Sequence, residues 1–245
     1  MTTSAARRTR GWLRTRTPVP GARLRLVCLP HAGGAASAFR AWPALVPPDV
    51  ELTAVQYPGR EDRIREQPWT SVTAMADELV RLLAPDDRPL VLFGHSLGGT
   101  VAYEVARRLP RPPLCLVVSA RIAPTVPPAR VFRGRTDAEL AEELFRLGGT
   151  TRAVLEHAEL RDLVLPAFRA DLAAADSYTH AQDPPLRCPV RLVLGADDPA
   201  VDPADAARWA AVAPAFEQHT FPGGHFYLFD RPGEVLAEVL AEGLR

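Results

Sequence analysis

Residues 91–100 read VLFGHSLGGT, which places Ser96 between two glycines directly behind an apolar run. In the pattern G-x-S-x-G, the small residues permit a tight turn from a strand into a helix, and this turn lifts the serine hydroxyl above the sheet. An amphipathic pattern follows, because Val101, Val105 and Leu109 repeat at helical spacing. We therefore predict a strand–turn–helix unit that presents Ser96 as a nucleophile.

Short apolar runs alternate with helical patterns on both sides of this unit. Runs such as LCLVV lack polar alternation, which is typical of strands that are covered on both faces in a mainly parallel sheet. The alternation predicts an α/β fold. A single domain is expected, because α/β folds commonly reach a length of 245 residues as one unit. The predicted strands are residues 23–29, 51–56, 89–93, 114–119, 189–194 and 216–221.

The alternation fails once, between about residues 124 and 185, where only helical patterns occur. Thr136 begins a capping-box pattern, T-D-A-E, that predicts a helix through Leu147. A second helical pattern covers about residues 159–178, and Pro166 is expected to kink or restart it. We predict that this insertion forms a helical lid over the strand ends.

Composition excludes several classes of function. The 245 residues carry 29 basic and 29 acidic side chains, so the net charge gives no electrostatic case for binding nucleic acid or a membrane surface. No apolar run is long enough to span a bilayer, and a cytoplasmic protein is expected. The three cysteines are scattered in apolar runs, which indicates core residues, and neither a metal site nor a disulfide framework is expected.

The first twenty residues differ from the rest of the chain. They contain five arginines, no acidic residue and no apolar segment of the kind found in secretory signals. We expect a flexible basic arm over residues 1–20, which precedes the domain over residues 21–245. Whether this arm is merely solvated or docks an acidic partner stays open at this point.

A serine nucleophile needs a base, and a third group must hold that base in the correct tautomer. Around a strand-end nucleophile the expected chain order is serine, then an acid, then histidine. His225 fits this order, because it follows a predicted strand and a Gly-Gly loop near the C-terminus. His219 lies inside a strand-like run, and the remaining histidines come too early: His31, His95, His157 and His180.

The acid is expected after the strand that precedes His225. The segment PVRLVLGADDP ends in this way and offers Asp197 and Asp198. We favour Asp198, with its neighbour capping the turn or the next helix, although the sequence leaves both open. Asp202 stands directly before Pro203 and is predicted to cap a helix.

The tetrahedral intermediate of acyl transfer needs two hydrogen-bond donors for its oxyanion. One is expected to be the backbone N–H of Leu97, the residue after the nucleophile. The other is expected in the loop LPHAGGAAS after the first predicted strand, where we select the N–H of Ala32. In this loop Gly33 and Gly34 let the backbone approach a substrate.

Five motifs together resemble the type II thioesterases, the stand-alone α/β-hydrolases that accompany polyketide synthases and nonribosomal peptide synthetases. The resemblance covers about residues 20 to 240. Two departures affect only apolar or aromatic positions, Leu97 after the serine and Tyr57 in the second motif. The motifs are L-P-H-A-G-G at 29–34, Y-P-G-R-E at 57–61, G-H-S-L-G-G at 94–99, G-A-D-D at 195–198 and G-G-H-F-Y-L at 223–228.

The resemblance implies an α/β-hydrolase fold and a triad of Ser96, Asp198 and His225. It also implies that acyl groups on the phosphopantetheine arm of acyl or peptidyl carrier proteins are the substrates, and that the enzyme removes stalled or aberrant units without a cofactor or metal. A monomer is expected. The residues implied to line the substrate site are His31, Gly33, His95 and Phe226.

Two points stay open from the sequence. Arg60, Arg63 and Arg65 could form a docking patch for an acidic carrier protein, or they could belong to a solvated loop that also carries acidic residues. The alternative functions are a medium-chain fatty acyl carrier-protein thioesterase, a general carboxylester hydrolase and, in a different class, a catalytically silent binding scaffold.

Overall fold

One mainly parallel sheet carries the fold. The computed structural model describes residues 11–128, 132, 134–182 and 184–241. The described strands form a seven-stranded sheet in the order β1-β3-β2-β4-β5-β6-β7, in which only the pair β1–β3 is antiparallel. The strands are β1 (Leu13–Arg14), β2 (Leu24–Leu29), β3 (Val50–Val55), β4 (Leu90–His95), β5 (Cys115–Ser119), β6 (Val190–Gly195) and β7 (Phe216–Phe221).

Helices cover both faces of this sheet. Successive side chains of β4 alternate between two hydrophobic clusters, with Leu92 in one and Val91 and Phe93 in the other. The alternation explains why the central runs are apolar throughout. Among the described residues, the α-helices with both ends defined are α1 (Val72–Leu83), α2 (Leu97–Arg108), α3 (Asp137–Arg146), α4 (Arg152–Glu156), α5 (Ala158–Ser177), α6 (Pro203–Ala207), α7 (Tyr227–Asp230) and α8 (Pro232–Leu240).

All six predicted strands are present as β2 to β7, with bounds that differ by a residue or two. The second half of the expected flexible arm differs from the prediction. Leu13 and Arg14 pair with β3, and the Trp12 side chain is buried against Trp69 with ring centroids 4.9 Å apart. A buried tryptophan outweighs the local basic composition, so this half belongs to the domain. Residues 1–10 of the arm lie outside the described residues.

Three helices, α3 to α5, lie between β5 and β6, where the helical insertion was predicted. The capping box at Thr136 is confirmed, because its hydroxyl accepts from Glu139 N–H at 3.3 Å and the Glu139 carboxylate accepts from Thr136 N–H at 2.7 Å. Helix α5 is continuous across Pro166 and does not restart there. Proline removes one hydrogen bond from a helix, and the remaining bonds of a 20-residue helix sustain it.

The three cysteines lie in the core, as their apolar surroundings predicted. Cys28, Cys115 and Cys188 are buried and form no disulfide. Among the described helices, none is both long enough and apolar enough to cross a bilayer.

Candidate active site

Ser96 occupies the strained turn between β4 and α2. Its φ of 54° and ψ of −119° are rare for a residue with a side chain. A Cβ atom at Gly94 would overlap the Gly98 carbonyl, and one at Gly98 would overlap the Leu29 carbonyl. The two glycines of the motif are therefore sterically required, since they let the turn close against its own helix and against the end of β2.

Ser96 stands at the positive end of a buried helix. Its N–H donates to the Ser119 carbonyl at 2.8 Å, which fixes the turn to the neighbouring strand β5. Leu97 is the first residue of α2, where a helix has no acceptor of its own for the N–H. That N–H and the helix dipole both favour negative charge beside Ser96.

An imidazole–carboxylate pair lies at the ends of β6 and β7. His225 Nδ1 and Asp198 Oδ2 are 2.8 Å apart, and the two side chains are 4% and 1% exposed. The second oxygen, Asp198 Oδ1, accepts from the Ala200 N–H at 2.8 Å. Asp197 is exposed, so the structure pairs Asp198 with the histidine. The neighbouring prediction for Asp202 is confirmed, because its carboxylate caps α6.

The parallel register of β6 and β7 brings this pair together. Gly195 is paired with Phe221, so the loops that follow both strands emerge at the same edge of the sheet. A side chain at Gly195 would overlap the Gly224 carbonyl, which shows how closely the two loops approach. The glycine in G-A-D-D thus allows Asp198 to reach His225.

Two further histidines pack around this site. The rings of His95 and His225 have centroids 5.1 Å apart, and those of His31 and His95 are 5.7 Å apart. Phe226 contacts all three rings, with its centroid 4.7 Å from that of His31. The structure therefore brings together the histidines and the phenylalanine that the sequence analysis placed at the substrate site.

His31 and His95 are held neutral by their surroundings. Burial, together with the nearby His225, lowers the pKa of His31 to about 3 and lowers the pKa of His95 well below its usual value. His95 Nδ1 lies 2.9 Å from Ser119 Oγ, which in turn lies 2.8 Å from the Tyr227 hydroxyl. The hydrogen bond to Ser119 thus holds the His95 ring in place, where it forms a wall of the site.

The glycine loop after β2 lies directly beside the serine turn. Leu29 is paired with Gly94 in the sheet, so residues 30–34 emerge next to Ser96. Gly33 adopts φ 73°, and its N–H donates to Asp171 Oδ2 at 2.7 Å. Gly34 N–H donates to the His31 carbonyl at 2.9 Å. Within the part of the chain that the structure describes, the Ala32 N–H has no acceptor.

A cavity of about 880 Å³ opens beside this loop. It is bounded by the glycine loop and residues 35–42 after it, by residues 60–64, by the insertion helices α3 and α5 with the link after α3, and by the segment that follows His225. Its walls are mainly apolar, as expected of a site for an acyl chain. Lining residues include His31, Gly33, Gly149, Leu163, Phe226 and Phe229.

The structure corrects the arginine patch suggested by the sequence. Arg60 is buried and makes a bidentate pair with Asp171, at 2.7 and 3.0 Å. Arg63 is also buried, where it pairs with Glu66 and donates to the Gln56 carbonyl at 2.8 Å. Of the three arginines, only Arg65 is exposed, so they do not form a shared docking surface.

Asp171 is the residue that the sequence analysis missed. Its side chain is fully buried although it is charged. The available signal was the position of this acidic residue within the mainly apolar stretch LPAFRADLAAA. An acidic residue on a solvated helix would instead be expected among polar neighbours. Its partner could not be read from the sequence, because Arg60 lies 111 residues earlier.

Within a sheet of this topology, a strained strand-end serine and a buried histidine–aspartate pair at the same edge of the sheet define an α/β-hydrolase-fold serine hydrolase. Comparison with known proteins narrows this class. Residues 24–242 match the family model described as a thioesterase domain. The thioesterase PikA5 of Streptomyces venezuelae is 40% identical over 235 residues, covering 93% of this chain and 84% of PikA5.

Solved structures agree. BorB, a type II thioesterase from the borrelidin biosynthetic cluster, superposes with a TM-score of 0.84 at 40% identity, covering 96% of this chain and 98% of that one. YbtT, a type II thioesterase from the yersiniabactin pathway, superposes with a TM-score of 0.85 at 32% identity. This match covers 94% of this chain and 97% of YbtT. The chain therefore belongs to the thioesterase family, among the type II thioesterases, which confirms the resemblance seen in the motifs.

Proposed function

We propose that this thioesterase hydrolyses stalled or aberrant acyl groups from the phosphopantetheine arm of carrier proteins in polyketide or nonribosomal peptide biosynthesis. The 2.8 Å contact between His225 and Asp198, at the same edge of the sheet as the Ser96 turn, carries the proposal. The pathways of the similar proteins support the substrate class, since the solved relatives come from the borrelidin and yersiniabactin pathways.

In the acylation half of the proposed reaction, Ser96 Oγ attacks the thioester carbonyl while His225 Nε2 takes the hydroxyl proton. Asp198 accepts from His225 Nδ1–H and thereby leaves Nε2 unprotonated to act as the base. The Ala32 and Leu97 N–H groups donate to the oxyanion. The C–S bond then breaks, and His225 returns its proton to the thiolate, which leaves as the phosphopantetheine thiol.

The deacylation half repeats this chemistry with water. His225 Nε2 takes a proton from a water molecule, whose oxygen attacks the acyl-enzyme carbonyl. When the second tetrahedral intermediate collapses, the ester bond to Ser96 breaks and His225 returns the proton to the serine oxygen. The products are a free carboxylic acid and the regenerated hydroxyl.

The neighbouring histidines have a supporting role in this proposal. Because His31 and His95 stay neutral at physiological pH, they add no positive charge next to His225 and do not oppose its protonation. Together with Gly33 and Phe226, they form the wall against which the thioester lies. The insertion helices act as the lid, and the apolar cavity of about 880 Å³ holds the acyl chain.

The test is a turnover comparison with purified protein. Acetyl-, propionyl- and octanoyl-carrier proteins are compared with the matching coenzyme A thioesters and with a nitrophenyl ester. We expect the carrier-bound short acyl groups to give the highest kcat/KM, and Ser96→Ala to abolish turnover of every substrate. Preference for octanoyl-carrier protein would favour the fatty acyl alternative, whereas preference for the plain ester would refute a carrier-protein thioesterase.

We also propose that the enzyme is a cytoplasmic monomer, because the carrier proteins that it would serve belong to intracellular synthases. Light scattering after size exclusion tests the oligomeric state, and cell fractionation tests the location. A stable dimer, or activity in a secreted fraction, would contradict these points.

A further inference from the structure

Asp171 connects the lid to the glycine loop. It lies on α5, is fully buried, and accepts three hydrogen bonds from two segments of the chain. Two come from Arg60, at 2.7 and 3.0 Å, and one comes from the Gly33 N–H at 2.7 Å. Arg60 also donates to the Gly34 carbonyl at 2.9 Å. The pair therefore holds the peptide group before Gly33 and the peptide group after Gly34.

A buried carboxylate is costly unless its charge and hydrogen bonds are satisfied. Here the guanidinium of Arg60 neutralises Asp171, and the Gly33 N–H donates a further hydrogen bond to the carboxylate. The side chain of Phe168, one turn earlier on α5, packs against Gly33, since a Cβ atom at Gly33 would lie 3.3 Å from it. Helix α5 and the glycine loop thus fit together as one unit.

This bonding pattern also restricts which N–H can face an oxyanion. Gly33 donates to Asp171 and Gly34 donates to the His31 carbonyl, so neither N–H is available for a substrate. Fixing the Gly33 N–H orients the peptide group that follows Ala32. The Ala32 N–H belongs to the preceding peptide group, so a residue of the lid holds the peptide group directly next to it.

We propose that Asp171 is a positioning residue for the oxyanion hole, and that Arg60 holds it in place. Seating α5 against the glycine loop aims the Ala32 N–H at the intermediate, so a correctly docked lid is a condition for fast chemistry. The inference rests on the proposed function, because it takes Ala32 as an oxyanion donor. It concerns rate rather than substrate affinity, since neither side chain acts on the reacting atoms.

The test removes the acceptor without leaving a buried charge. The double variant Arg60→Met/Asp171→Leu replaces the ion pair by apolar side chains, a change that proteins often tolerate. We expect kcat to fall about 10- to 100-fold, because misaligned catalytic donors and reacting groups cause losses of this size. KM should stay within about threefold, and the affinity for a trifluoromethyl ketone, which forms a tetrahedral adduct on Ser96, should fall with kcat.

Two further variants separate positioning from stability. Asp171→Asn keeps an oxygen that can accept from Gly33 N–H, so its kcat should lie between those of the wild type and the double variant. Glu104→Gln is the matched control, because Glu104 is a buried carboxylate paired with Arg107 at 3.0 Å on α2. It should lower the melting temperature and leave kcat unchanged.

The outcomes are distinguishable. If Ser96→Ala remains active, the proposed function itself fails. If Ser96→Ala is inactive while the folded double variant keeps the wild-type kcat, only the positioning role is overturned. Should the double variant not fold, Asp171→Asn decides the matter, since wild-type kcat and analogue affinity in that variant would equally refute the proposal.

Discussion

Asp198 and His225 lie 27 residues apart in the chain, yet their side chains share a 2.8 Å hydrogen bond in a buried position. The adjacent Asp197 points to solvent instead. The parallel pairing of β6 with β7 produces this arrangement, because both loops leave the sheet at the same edge. Strand register brings the two loops together, and the hydrogen bond to His225 distinguishes Asp198 from the neighbouring carboxylate that the sequence also left open.

Replacing Asp198 by Asn should lower kcat by about 10³- to 10⁴-fold, since the amide no longer holds His225 in the tautomer that can accept a proton. Steady-state turnover of a carrier-bound acyl group measures the change. Asp197→Asn is the matched control and should retain wild-type kcat. Equal losses in the two variants would contradict the assignment of Asp198 as the acid.

Replacing Ser119 by Ala should destabilise the fold more than it impairs catalysis. The Ser119 hydroxyl lies between His95 Nδ1 and the Tyr227 hydroxyl, at 2.9 and 2.8 Å, and all three groups are buried. Removing it leaves two buried polar groups without a partner. We expect the free energy of unfolding, measured by urea denaturation, to fall by about 1–3 kcal/mol.

A thermodynamic cycle provides the control for Ser119. Tyr227→Phe removes one hydroxyl from this series of hydrogen bonds and leaves the bond between Ser119 and His95 intact. The free energy of unfolding should therefore fall less than in Ser119→Ala. The double variant Ser119→Ala/Tyr227→Phe should be less destabilised than the sum of the two single variants. Simple additivity would show that the three groups do not act as a connected chain.

The parts of the fold that the sequence predicted are those governed by local patterns. The apolar run of β4 and the glycines around Ser96 act through neighbouring residues, and so does the capping box at Thr136. The order of Ser96, Asp198 and His225 along the chain follows from the order of the strands β4, β6 and β7 that precede them. These features need no knowledge of distant contacts, which is why local patterns predicted the strands, His225 and the G-A-D-D segment that contains Asp198.

The features that escaped prediction depend on partners far along the chain. The basic composition around Trp12 indicated a free arm, but burial against Trp69 and pairing of Leu13 with β3 overrule it. Arg60 reads as a surface cation until Asp171 is placed 2.7 Å away from it. Sequence patterns do not report such tertiary pairs, and single charged residues are therefore the least predictable part of the site.

Replacing Gly149 by Val should shift the enzyme towards short acyl groups. A Cβ atom at Gly149 would come within about 3.0 Å of Leu144 and of the Phe226 ring, so larger side chains must enter the cavity. Each methylene that loses its apolar surroundings costs about 0.8 kcal/mol. We expect kcat/KM for octanoyl-carrier protein to fall at least about tenfold, while that for acetyl-carrier protein changes by less than about threefold.

Gly233→Val is the control for this change, because a Cβ atom at Gly233 contacts nothing within 4 Å. That variant should leave the acyl preference unchanged. If Gly149→Val lowers turnover of acetyl and octanoyl substrates by the same factor, the cavity does not determine the acyl-length preference.

Acid should destabilise the fold through the buried histidines. The pKa of His31 is lowered to about 3 in the folded protein, against about 6.5 for an unperturbed histidine. Between these values the unfolded state binds the proton and the folded state does not, so stability is complete above pH 6.5 and declines as the pH falls towards 3. His95 is shifted in the same direction. Each group contributes at most about 1.4 kcal/mol per pH unit.

Urea denaturation of wild type and His31→Gln between pH 8 and pH 4 tests this slope. At pH 8 His31 is neutral in both the folded and the unfolded protein. The difference in unfolding free energy between wild type and variant at this pH therefore reports only the lost packing against His95 and Phe226. On acidification, the variant should lose less stability than the wild type, because glutamine takes up no proton in the unfolded state. Parallel stability curves over the whole range would show that His31 becomes protonated in the folded protein as readily as in the unfolded chain.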